Sequence, residues 1–309
     1  MRALPGIDLQ ATQGILTVIG LVGMGYLSKR ARLLSQRHAD VLLKIVLYVL
    51  LPLSVLGTYA KVNAPQVGLY VIVAGVACNV IGLIAASWAA KRLTPDRSME
   101  GAFVLAVSTM NSGLLGIAVG RLLFDELGVL TVLLLDLPNA FYTIVIGKAI
   151  ASWYGSKKGT DSMQRRLLSF LATPYLYGVI IGVLHNRGIV AVPAVILDIA
   201  SPISSLASFA TLFAMGIYLS SSMNHRLETS SALLLRFGTG LLVFIALAFL
   251  TPTLTFFQSK PLFYACTLPP AIMVLTHARA YGLDVDLAAE ILSVSLLLSV
   301  LEAIVLAFV

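Results

Sequence analysis

Ten apolar runs, most of them about twenty residues long, dominate this chain. They fall at about 12–28, 41–60, 67–90, 102–124, 128–151, 167–186, 193–219, 232–257, 262–282 and 285–309, each bounded by charge or by glycine and proline. About 20 apolar helical residues cross the hydrocarbon core of a bilayer, whereas strands of a membrane β-barrel alternate over segments of about ten residues. These runs are continuous, so the sequence predicts an all-α polytopic membrane protein of ten transmembrane helices, spans 1 to 10, held in a lipid bilayer. Divided in this way, 309 residues leave no room for a sizeable soluble domain. Composition agrees: 59% of residues are AVILMFWYC and 11% are charged, where a soluble domain carries roughly 25% charge. Most enzyme classes are thereby disfavoured. MRALPGIDLQ leads into the first run with no small-residue cleavage site after it, so no removable leader is expected.

Lysine and arginine set the orientation, because they accumulate in short cytoplasmic loops. The connections after spans 1, 3, 5 and 7 hold 14 of them: Lys29, Arg30, Arg32, Arg37, Lys44, Lys91, Arg92, Arg97, Lys157, Lys158, Arg165, Arg166, Arg226 and Arg236. The other side holds five, Arg2, Lys61, Arg121, Arg187 and Lys260. Both termini are therefore expected outside a cell membrane and residues 152–166 in the cytoplasm. The net charge of +7 follows from this asymmetry, and no nucleic-acid partner is implied. Cys78 and Cys266 lie inside apolar runs, which offers neither a disulfide framework nor a cysteine metal site.

Ten spans with both ends on one side divide into two five-helix halves of opposite orientation, 1–151 and 167–309, joined by a linker at 152–166. A trace of duplication supports the division. Gly25-Tyr-Leu27-Ser-Lys-Arg30 at the end of span 1 is echoed by Gly182-Val-Leu184-His-Asn-Arg187 at the end of span 6, an offset of 157. The same offset carries Asn111-Ser112-Gly113 in span 4 onto Leu268-Pro269-Pro270 in span 9.

Those two places hold the most informative chemistry. Small and polar residues interrupt span 4, and in span 9 two prolines remove two N–H donors, so the carbonyls of Ala265 and Cys266 lose their helical partners. Unpaired backbone at membrane depth is tolerated only where protein or a water-filled cavity satisfies it, so matched breaks point to a central polar site. Half-helices starting near Gly113 and Ala271 would aim positive ends at the membrane centre, which favours an anion. Asn111 adds an amide able to donate to a carboxylate. The expected binding residues are Asn111, Ser112, Gly113, Pro269, Pro270 and Ala271, with Asn79 and Asn139 as mid-span polar neighbours. Asp136 is a membrane-embedded acid with three roles open to it: relaying a proton, pairing with Lys148, or capping a half-helix broken at Pro138.

LPPAIMVLTHARAYGLDVDLAAEILSVSLLLSVLEAIVLAF at the C-terminus, MNSGLLGIAVG in span 4 and VLLPLSVL in span 2 together resemble the auxin efflux carrier family along essentially the whole chain. The resemblance implies a ten-helix carrier with an inverted repeat, crossed broken helices 4 and 9, and an elevator-type motion. It also implies a scaffold of helices 1, 2, 6 and 7, a moving bundle of helices 3–5 and 8–10, and a homodimer. The short linker matches compact prokaryotic-type members, which are associated with small carboxylates such as malonate, malate or lactate, rather than with plant auxin. One departure is Ile117-Ala118, where the family usually has a proline-containing pair.

The expected function is therefore a secondary transporter, a permease for a small organic anion, with no cofactor and no metal. A bile acid:sodium symporter relative shares the ten-helix architecture, but Leu268 and Ala271 beside the proline pair offer no sodium ligands. A non-transporting ligand sensor would normally carry a soluble domain for which the chain has no room. His38, His185, His225 and His277 form no HExxH, and neither GxSxG nor a Walker A sequence occurs. Asp198, Ser201, Ser204 and Ser205 surround Pro202 in span 7. Glu290, Ser293 and Ser295 cluster in span 10, where Glu290 could gate or pair with Arg279.

Overall fold

The computed structural model describes residues 9–62, 68–157, 162–220, 223–251 and 256–308. Every regular element among them is helical. The chain begins with α1 (Leu9–Arg30), then α2 (Gln36–Ile45) and α3 (Leu51–Lys61), fused by a π turn over Val46–Leu50. α4 (Tyr70–Leu93), α5 (Arg97–Ser108) and α6 (Ile117–Leu123) follow, and then α7 (Glu126–Phe141), which a π turn over Tyr142–Ile146 joins to α8 (Gly147–Tyr154). Next come α9 (Met163–Leu171), α10 (Pro174–Asn186), α11 (Ala194–Tyr218) and α12 (Arg226–Leu250). The last elements are α13 (Phe256–Thr267), α14 (Met273–Tyr281) and α15 (Val285–Phe308). Among the described residues seven helical stretches are long and apolar enough to cross a membrane, and eight if α9 and α10, bent by 50° ahead of Pro174, count as one.

Local chemistry accounts for the ends. Asp96 caps α5 by accepting from the Met99 N–H at 2.9 Å, and Asp125 caps α7 through Gly128 at 2.8 Å. The 281–284 turn works because Gly282 takes φ +72°, closing α14 in a left-handed cap, while Asp284 accepts from the Leu287 N–H at 2.7 Å to start α15. Lipid is as apolar as leucine, so close backbone approach rather than hydrophobic transfer holds such helices together. A Cβ on Gly25 of α1 would fall 2.1 Å from the Phe213 carbonyl oxygen of α11, and one on Gly182 of α10 would fall 2.8 Å from the Leu56 carbonyl oxygen of α3. Of the most apolar 18 residues in the interrupted stretch Arg97–Leu123, 94% are buried, against 28% in Arg226–Leu250, so the other helices enclose the first break.

Several expectations change. Arg236 lies in the middle of α12 and is wholly buried, not in a cytoplasmic connection, which reduces that side's count to 13. A sequence window cannot distinguish a buried cation from one near a span end. Pro138 does not break its helix: α7 runs on to Phe141, and the departure from α geometry comes in the π turn that follows. The boundary between spans 8 and 9 falls between Leu250 and Phe256, and Pro261 sits inside α13. Glu290 does not pair with Arg279, which donates to Gln36. Glu290 instead accepts from the Asn224 and His225 backbone N–H groups at 2.7 and 2.9 Å, with the His225 ring at 3.5 Å. Ser204 donates back to the Ala200 carbonyl, while Asp198, Ser201 and Ser205 are exposed.

Candidate functional site

The first break spans 109–111, between α5 and a π turn over Ser112–Gly116 that leads into α6. Its freed backbone groups are taken up by two amides. Asn79 of α4 donates to the Ser108 carbonyl at 2.7 Å. Asn139 of α7 accepts from the Met110 N–H at 3.1 Å and donates to the Met110 carbonyl at 2.8 Å, in the manner of a strand partner. The two amides also meet each other at 3.2 Å. Asn111 caps the resumed helix, its Oδ1 accepting from the Leu115 N–H at 3.4 Å, and among the described residues its Nδ2 contacts only the Met215 sulfur, at 3.8 Å.

At the second break α13 ends at Thr267 and α14 starts at Met273. Arg236 of α12 donates from Nη2 to the Cys266 carbonyl at 2.7 Å, replacing the donor that Pro270 removed, and from Nε to the Leu268 carbonyl at 2.9 Å. This cation therefore lies at the negative, C-terminal end of α13. The Thr267 hydroxyl donates to the Glu302 carboxylate of α15. The breaks also bond to one another: the Asn111 N–H donates to the Pro269 carbonyl at 2.8 Å, and the Ala271 N–H to the Thr109 hydroxyl at 3.3 Å.

Two cavities flank this meeting point. One of about 100 Å³ lies toward α3 and α10 and includes Asn111, Gly113, Asp136, Asn139, Tyr175 and Ala271 in its wall. The other, of about 20 Å³ toward α11 and α15, includes Asn111, Met215, Pro269, Pro270 and Ser293. Asn111 lines both. Asp136 is buried, its Oδ1 accepting from the Ser112 hydroxyl at 2.6 Å and from Asn139 Nδ2 at 3.2 Å, and the carboxylate faces the Gly113 backbone amide. A Cβ on Gly113 would fall 2.9 Å from Asp136 Oδ2, so glycine is what lets the acid approach. Asp136 thus does not pair with Lys148, which lies twelve residues on in α8, about 18 Å by helical rise.

Of the residues expected from sequence, the structure gathers Asn111, Gly113, Asn139 and Ala271 around the larger cavity and Pro269 and Pro270 around the smaller. Ser112 and Asn79 line neither and instead hold the first break in shape. Arg236, Thr109, Tyr175 and Glu302 went unnoticed. Arg236 had a signal in the sequence: adding the 157-residue offset to Asn79 lands on it. Both side chains do one job, donating to the carbonyls that end the helix before a break.

Residues 11–307 match a family model described as membrane transport protein. An uncharacterized transporter of Methanocaldococcus jannaschii is 25% identical over 306 residues, covering 93% of this chain and 94% of that one. An uncharacterized transporter of Methanothermobacter thermautotrophicus is 23% identical over 304 residues, covering 96% and 97%.

Proposed function

The chain belongs to the membrane transport protein family, as its likeness to auxin efflux carriers led us to expect, and from that premise we propose that it carries a small mono- or dicarboxylate across the cell membrane. It is a transporter and not an enzyme. One observation carries the carboxylate reading. Two interrupted helices meet between two cavities that Asn111 lines in common, and among the described residues its amide nitrogen touches only the Met215 sulfur, on the side of the smaller cavity, leaving a donor for an incoming oxygen. In this reading Ser112, Gly113, Pro269, Pro270, Ala271, Asn79 and Asn139 shape or line the site.

We read the fold as ten spans in two inverted repeats, 1–151 and 167–309. Pairs separated by 157 support it. Gly25 approaches Phe213 in one half, while Gly182 approaches Leu56 in the other, and both members shift by that offset. Asn79 and Arg236 repeat the relation at the breaks. The scaffold would be α1–α3 and α9–α11, and the elevator bundle α4–α8 and α12–α15. Arg121 of α6 bridges the two, donating to the Ser54 and Thr58 hydroxyls of α3 at 3.0 and 2.6 Å. Trp88 beside Arg92, and Trp153 beside Arg97, fit an aromatic belt at one membrane interface, and the excess of Lys and Arg on that side is what supports extracytoplasmic termini. A homodimer follows from the resemblance alone.

Thermal-shift screening of the purified protein against malonate, malate and lactate, followed by uptake into proteoliposomes, tests the function. We expect at least one carboxylate to stabilise the protein, and Asn111→Ala to weaken its binding by about 1–3 kcal/mol. Failure of every carboxylate, or binding that ignores Asn111→Ala, refutes the site. Uptake strictly dependent on a sodium gradient would move the protein to the sodium-symporter reading.

A further inference from the structure

Resting on the carboxylate reading above, we propose that the carrier moves each substrate carboxylate together with one proton, and that Asp136 holds that proton. The cavity into which the anion must enter already has a carboxylate in its wall. Asp136 sits against Ser112 and the Gly113 amide, at the start of the resumed half-helix. That is where an incoming anion would find backbone donors. Across the break, the Ala271 N–H is already engaged by the Thr109 hydroxyl. Asn111, Gly113 and Asp136 line one space of about 100 Å³, so a substrate that occupies it lies close to Asp136.

Nothing in the cavity wall offsets two negative charges. Among the described residues no Lys, Arg or His lines it. The other titratable groups turned toward Asp136 are the phenols Tyr59 of α3 and Tyr175 of α10. The remaining neighbours are uncharged: the Ser112 hydroxyl of the π turn and the amide of Asn139 on its own helix, with Asn79 of α4 behind. Arg236 is committed to the Cys266 and Leu268 carbonyls at the end of α13. Two carboxylates in one enclosed site without a cation do not both stay ionised. A proton taken from the aqueous side onto Asp136 removes the repulsion and turns an acceptor into a donor for the substrate oxygen. It leaves to water on the other side when the substrate departs. The balance is one proton per carboxylate anion, electroneutral for a monocarboxylate and a net −1 for a dicarboxylate.

Binding and protonation then promote each other equally. Lactate and malonate are the probes. In the parent protein, calorimetry in buffers of different ionisation enthalpy should register up to about one proton taken up per bound anion, and the apparent Kd should rise with pH, by up to about tenfold per unit where Asp136 of the free carrier is ionised. Asp136→Asn mimics the protonated acid, so at pH 8 it should bind more tightly than the parent, converge with it at low pH, and turn electroneutral lactate uptake electrogenic. Should that variant fail to fold, the proton count of the parent decides alone. PH-independent binding without proton uptake overturns the proposal and leaves the carboxylate reading standing. No binding of any carboxylate overturns that reading first, and this one with it.

Discussion

Replacing Arg236 by Met tests whether a side chain from α12 holds the second break open. Met keeps much of the length and removes both donors, leaving the Cys266 and Leu268 carbonyls without the 2.7 and 2.9 Å bonds they now accept. Hydrogen bonds between membrane helices are worth about 0.6–2 kcal/mol each, so the pair should cost about 1–4 kcal/mol. Relief from burying a cation pulls toward the low end of that range. The stabilising position at the negative end of α13, with Glu302 held nearby through Thr267, pulls toward the high end. Arg236→Lys presents one ammonium in place of a fork and should recover only part of the loss. The assay is the thermal midpoint in detergent, read together with malonate affinity, since a freed α13 end would also loosen the Asn111 to Pro269 bond. Arg236→Met with unchanged midpoint and unchanged affinity would show that the guanidinium is a passenger.

Pro269→Ala with Pro270→Ala returns two N–H donors to the helix, one for the Ala265 carbonyl and one that competes with Arg236 for the Cys266 carbonyl. The protein should stay folded by circular dichroism while malonate binding weakens at least about tenfold, about 1.4 kcal/mol; unchanged binding would reduce the break to a kink. Ser54→Cys with Arg121→Cys puts thiols on α3 and α6 at the two ends of the gap that the Arg121 side chain now spans. Joining that pair with a cleavable bifunctional thiol reagent should stop uptake and cleaving it should restore it, and transport that continues through the cross-link would rule out bundle movement against the scaffold at this contact. Lys157→Cys should resist impermeant thiol reagents applied to intact cells and react once the membrane is opened. Labelling from outside would invert the proposed orientation.

What sequence could disclose depended on whether a structural task demands a residue type. Close approach of two backbones demands glycine, so Gly25 and Gly182 stand out at an offset of 157, and the structure sets both against neighbouring carbonyls. Removing helical donors is proline's doing, so 269–270 announced a break and the structure has one. Satisfying the carbonyls that a break strands demands only a donor of any kind. Asn79 and Arg236 share no chemistry beyond their N–H groups, and a similarity search by residue type passes over them. Arg236 was misplaced for a second reason: hydropathy averages over a window, and a wholly buried cation weighs there the same as one in a loop. Asp136 was visible as an acid in a membrane run, but its role depended on Ser112 and Gly113, twenty-odd residues away, closing on it.

In the proposed inverted repeat, the two halves agree in what their backbones need and differ in the charges that meet the need. At the first break the stranded groups are served by neutral amides, and an acid faces the resumed helix. At the second, a cation serves the helix that ends, and the position matching Asp136 is Ser293. An inverted pair that was symmetric in charge would offer a substrate the same environment from either side. Here the acid lines the cavity and the cation is spent on carbonyls behind the crossing. In the proposed carboxylate carrier, an anion entering the site meets helix ends and amides with one competing carboxylate, and it settles only when that carboxylate carries a proton or gives way.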